Sequence, residues 1–106
     1  MPLCYVKAGQ CGNEAIIRVT VKSPAVAEIS IDTACEHIKK IAEELKEIKV
    51  GGEMTLPAIE TTVYKTAAKY LCRTSCIMPA AILKAIEAEY NLFKPVNAEI
   101  EFLENI

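Results

Sequence analysis

Apolar and polar positions divide the chain into a strand-like first third, a helical middle and a strand-like tail. Residues 3–8 form a short apolar-rich run. Residues 14–22 are rich in β-branched side chains and partly alternate, the pattern of a half-buried strand. Ser23-Pro24 marks a turn. In residues 26–31, Ala27, Ile29 and Ile31 then fall on one face, with Glu28 and Ser30 on the other. These last two segments read as a hairpin.

The period changes after Asp32. Thr33-Ala34-Cys35-Glu36 fits a capping box, with Thr33 as N-cap and Glu36 three residues on. Ile38, Ile41, Ala42, Leu45 and Ile48 follow at helical spacing, and Gly51-Gly52 ends the predicted helix. A second helix opens at Pro57, with Ile59, Val63, Ala67, Tyr70 and Leu71 as its apolar stripe. A third spans residues 79–90, with Ile82, Leu83, Ile86 and Tyr90 inward. Pro95 breaks this pattern, and residues 96–103 alternate as a last strand, with Val96, Ala98, Ile100 and Phe102 on one side. The predicted fold is α+β, in the order β-β-β-α-α-α-β. It has a mainly antiparallel sheet of about four strands and about three helices on one face.

Length and composition narrow the functional classes. The chain of 106 residues is one domain's worth, residues 1–106, and 52% of it is apolar, so a core forms without obligatory staples. Net charge is −2, with no Lys/Arg run and no Trp, which argues against a nucleic-acid partner. No apolar run approaches the roughly 18 residues of a membrane span, and Met-Pro-Leu-Cys is not a secretory start, so the expected place is the cytoplasm. Thirteen Glu against one Asp, ten Lys against two Arg, and a single Gln suggest a heat-adapted source. That matters for the five cysteines, because hyperthermophile cytosols tolerate disulfides.

Cys4 falls inside a strand and reads as a small core hydrophobe. The other four fall at junctions: Cys11 between Gly9 and Gly12, Cys35 in the first turn of the capped helix, Cys72 at the end of the second helix, Cys76 before the third. Thiolate is the metal-binding form, and helix N-termini favour it, so Cys35 and Cys76 are expected to ionise readily. Four thiolates at Cys11, Cys35, Cys72 and Cys76 suit an iron–sulfur cluster or Zn. Gly9, Gly12 and Ser75 would offer backbone N–H donors to it and Arg73 a balancing charge. The Cys72–Cys76 spacing is C-x₃-C, and zinc-ribbon and ferredoxin spacings are absent. Two other readings stay open. The four thiols form two structural disulfides with no bound cofactor, or Cys72 and Cys76 form a redox pair. Catalysis is not indicated. His37, the only histidine, points about 200° from Cys35 on the same helix and reads as a surface residue. An exposed sheet edge makes a homodimer plausible, and an electron-transfer or accessory role would require a redox partner protein.

The segment from Cys72-Arg73-Thr74-Ser75-Cys76 through Ile77-Met78-Pro79 to Glu87, then Leu92-Phe93-Lys94-Pro95-Val96, resembles a small uncharacterised cysteine-bearing family of methanogenic archaea and anaerobic bacteria. Ala8-Gly9-Gln10-Cys11-Gly12 and Asp32-Thr33-Ala34-Cys35 are similar to it as well. That family often reads Ser-Cys-Pro-Val-Pro with a nearby His. Here Ile77-Met78-Pro79 and Arg73 stand in those places, which departs from any His-dependent role. The resemblance implies a thiol-bearing module of anaerobes, a setting that favours reduced cysteines over disulfides.

Overall fold

The fold is described from a computed structural model, which covers residues 3–9 and 11–104; Gln10 of the glycine loop and the Met-Pro start lie outside the described residues. Four strands form one antiparallel sheet in the order β1-β2-β3-β4: β1 (Cys4–Lys7), β2 (Glu14–Val21), β3 (Val26–Thr33) and β4 (Glu47–Lys49). The α+β class holds, as does the hairpin: Ala27 pairs with Val21 and Thr33 with Ala15. Alternation decides which face is covered. Val6, Ala15, Ile17, Val19, Ala27 and Ile29 are buried, while Tyr5, Ile16, Arg18, Thr20, Glu28 and Ser30 face outward.

The helices lie on the apolar side: α1 (Glu36–Glu44), α2 (Val50–Thr55), α3 (Thr62–Tyr70) and α4 (Met78–Glu89). α1 packs on β3, and α4 packs on β2 and β1. Ile17, Ile41, Leu45, Val63, Met78, Ile82 and Ile86 form the fully buried centre.

Five local expectations are corrected. The capping box does not form. Cys35 is the N-cap of α1, with no side-chain cap bond, while Thr33 Oγ1 accepts the Cys35 N–H at 3.1 Å and donates to Glu14 O at 2.8 Å. Thr33 still belongs to β3 and spends its hydroxyl across the sheet. The first helix also stops at Glu44, because residues 47–49 find backbone partners in Val26, Ala27 and Glu28. Ile48 is buried from a strand instead of a helix.

Gly51 and Gly52 end nothing; they lie inside α2. Pro57 precedes a 3-10 turn (Ala58–Glu60), and α3 begins at Thr62, capped by Thr61 Oγ1, which accepts the Tyr64 N–H at 3.2 Å. Ile59 is therefore exposed and not part of a stripe. Finally, residues 96–103 are not a strand. Every residue from 91 to 104 is exposed and without helix or strand. Alternation specifies a strand's two faces but supplies no partner, and β4 takes the fourth place in the sheet.

Candidate functional site: a thiol-bearing end of the sandwich

Register and two hydrogen bonds bring the cysteine loops to one end of the molecule. Lys7 pairs with Glu14, so the β1–β2 turn carrying Cys11 closes at that end of the sheet. Ala15 pairs with Thr33, so β3 finishes beside it, and Cys35 follows two residues later. The Thr33–Glu14 bond fastens the two together. His37, one turn into α1, places Nδ1 3.0 Å from Tyr70 O, the last residue of α3. The connection carrying Cys72 and Cys76 starts there. Three separate stretches of chain thus carry Cys11, Cys35, Cys72 and Cys76 at the same end of the sandwich.

Their surroundings differ. All five cysteines are free thiols; Cys11 and Cys72 are exposed, Cys35 is buried, and Cys4 and Cys76 are half-buried. Burial pushes the Cys76 thiol up from its ordinary value. The Met78 N–H pulls it down, and the neighbouring Cys72, Cys11 and Cys35 push it up again. The expectation of a readily ionised Cys76 is overturned: desolvation outweighs the single helix-terminal donor. Cys4 packs against the core, 3.9 Å from Ala81 O, and burial raises its thiol too.

The loops have the geometry of exposed connections. Gly9 and Gly12 adopt φ of +98° and +75°, a region that side chains enter at a cost, and Gly12 N–H donates to Gly9 O at 2.9 Å. Arg73 O accepts the Cys76 N–H at 3.2 Å, bending the C-x₃-C segment back on itself. Arg73 is exposed and makes no ion pair among the described residues. Ser75 is exposed and does not cap α4, whose N-cap is Ile77. His37 is exposed, as expected; its contact with Tyr70 is not readable from spacing, because it joins two helices 33 residues apart. Thr33 was legible only as a cap, and its role in tying loop to sheet required the register.

Among the described residues, no group of three or more Cys, His, Asp or Glu side chains is arranged so that it could hold a metal ion. Nor is any helix among them long and apolar enough to cross a membrane.

The chain belongs to the family of unknown function DUF6951, whose sequence model matches residues 4–102. No curated protein and no solved structure matches the chain.

Proposed function

We propose that the protein binds an iron–sulfur cluster through Cys11, Cys35, Cys72 and Cys76 and serves in electron transfer or as an accessory carrier. One observation supports the reading: the strand register and the His37–Tyr70 bond set the roots of the three cysteine-bearing connections at the same end of the sandwich. Thiols used only as core packing would be buried, whereas Cys11 and Cys72 are exposed. Four neighbouring thiolates repel one another, and a bound cation reverses the sign of that interaction and draws off their protons. Closing on a cluster requires the Gly9–Gly12 turn and the Cys72–Cys76 connection to move inward. Cys11 and Cys72 are exposed, which leaves room for that movement. The flanking backbone N–H groups would then face cluster sulfides, with Arg73 offsetting their charge. An anaerobic, reducing cytoplasm is the setting in which such thiols stay available, and a heat-adapted source would fit the Lys- and Glu-rich surface.

The test is purification without oxygen, followed by metal analysis, a visible spectrum and a thiol count. Iron with inorganic sulfide and broad absorbance near about 400 nm supports the cluster. One zinc per chain moves the site to a mononuclear ion. Metal-free protein that stays colourless after reconstitution with iron and sulfide overturns the reading. In that outcome, one titratable thiol indicates two disulfides, and three indicate a Cys72–Cys76 redox pair.

A further inference from the structure

The tail holds a strand pattern without a sheet. Val96, Ala98, Ile100 and Phe102 alternate with Asn97, Glu99, Glu101 and Leu103. Val96 is 73% exposed, Ile100 77% and Phe102 96%, a concentration of apolar surface that a stable single chain normally covers. The sheet, in turn, has an edge without a strand. β4 reaches only as far as Glu47 opposite Glu28, and the last backbone link on that side is the Ile29 N–H to Lys46 O at 2.8 Å. Hydrogen-bond direction alternates along a strand, so Ile31 and Thr33 turn their N–H and C=O groups toward the same open side. A groove of about 560 Å³ runs along this edge, between β3 and α1, with Ile29, Ile31 and Ala42 as its apolar lining and Lys39 and Lys46 among its charged residues.

We propose that residues 96–103 form the missing strand of a second copy's sheet, pairing with the open edge of β3 at Ser30–Thr33, so that the protein is a strand-exchanged homodimer. Addition with Ile100 and Phe102 on the helix side sets them against Ile31 and Ala42, which line the groove there. The alternate Glu99 and Glu101 then lie on the outer face. Arg18, opposite Ser30 on that face and without an ion pair among the described residues, supplies the opposite charge. The acids already present, Glu28 and Asp32 on the outer face of the sheet and Glu43 in the groove, favour a placement that keeps both tail glutamates near Arg18.

The second copy is favoured over the chain's own tail by where the tail begins. Tyr90, at the end of α4, donates its hydroxyl to Val26 O at 2.7 Å and lies 3.0 Å from Ser23 O, which fixes the root of the tail at the β2–β3 turn. Ser30–Thr33 lies at the opposite end of β3, and the chain's own β4 and Lys46 occupy the edge between. From that root the chain's own tail could reach Ser30–Thr33 only by running parallel to β3, whereas a partner's tail can add antiparallel, as every neighbouring pair in this sheet does. Exchange in both directions gives a closed two-fold dimer.

Light scattering of the full chain across micromolar concentrations tests this, together with a full-length Ile100→Asp/Phe102→Asp variant. Both sites are exposed and lie outside every helix and strand, so the variant keeps its fold. The expected mass is twice the 11.6 kDa of one chain for the natural sequence and half that value for the variant. Amide exchange of the same pair should show at least tenfold slower exchange at Ile31 and Thr33 in the natural chain. A natural chain that stays monomeric overturns the proposal, and slowed exchange in such a monomer identifies the chain's own tail as occupant. A variant that remains dimeric, or a dimer with Ile31 and Thr33 unprotected, also overturns it.

Discussion

Glu53 is a carboxylate in the core, and removing it tests how the helical layer is held. It is 6% exposed and lies in the short helix α2. Its two oxygens accept the Thr62 N–H at 2.7 Å and the Val63 N–H at 3.1 Å, two of the free donors in the first turn of α3. Thr61 caps the next donor, so Glu53 and Thr61 together satisfy the start of α3. A hydrogen bond to a charged group contributes about 1.5–3 kcal/mol, and a buried donor left without a partner costs about 1–3 kcal/mol. Glu53→Gln keeps one acceptor but turns its amide donors toward the second N–H, so it should cost about 2–3 kcal/mol. Glu53→Ala loses both bonds and leaves a small void, for about 3–5 kcal/mol. At about 4–8 °C per kcal/mol, the Gln variant melts at least about 8 °C lower. The assay is thermal and urea unfolding by circular dichroism, with the exposed Glu60→Ala as control. A Gln variant no less stable than that control would refute the reasoning.

Gly51→Ala and Gly52→Ala should each stabilise the protein by up to about 1 kcal/mol, because both are helical, exposed and clear of any atom a Cβ would meet. Urea midpoints check this, and a loss of stability would mean that α2 is not helical at these positions. Tyr90→Phe removes the hydroxyl that joins α4 to Ser23 and Val26 and should cost about 1 kcal/mol, with faster amide exchange in the β2–β3 turn. Unchanged stability and exchange would show that the bond does not hold the turn. In metal-free protein, exposed Cys11 and Cys72 should alkylate before Cys4 and Cys76, whose thiols burial pushes up. Peptide mapping of partial alkylation decides it, and Cys76 labelled first would contradict the assignment. A raised folded-state pKa favours the folded state while the proton is held. The contribution of Cys4 and Cys76 is therefore complete below the ordinary thiol range and fades as pH climbs through and above it. Tyr90, raised by burial, adds the same slope at higher pH. Urea stability rising from neutral to alkaline pH would show the sign to be wrong.

Where the hydrophobic period was long and clean, the sequence was sufficient. The β2–β3 hairpin and α4 follow from alternation and from Ile82 and Ile86 one turn apart. The errors fall where one residue satisfies two patterns. Ile48 continues the stripe of Ile38, Ile41 and Leu45, yet it also alternates with Glu47 and Lys49, and only the open edge of β3 selects the strand. Thr33 is a good cap by type, but a β-branched residue in register with Ala15 stays in the sheet. Glu53 offered no signal, since its partners are backbone groups that exist only once α2 and α3 meet.

The thiol end shows the same limit from another direction. Spacing placed four cysteines at junctions, but it could not say which junctions share an end of the sandwich. That follows from two pairings, Lys7 with Glu14 and Ala15 with Thr33, and from His37 reaching Tyr70 O across two helices. Each of these contacts stands one or two residues from a cysteine-bearing loop and ties the loop's root to rigid sheet or helix. The roots are therefore tied to sheet and helix, while Cys11 and Cys72 are exposed. Buried Cys35 and half-buried Cys76 do not share that exposure. If the proposed cluster is bound, the two less exposed cysteines would seat it and the two exposed ones would close over it, so Cys35→Ser and Cys76→Ser should abolish iron retention, while Cys11→Ser should leave a labile, partly loaded site. Iron content after gel filtration separates these outcomes, and equal loss in all three variants would argue against a site with fixed and closing halves.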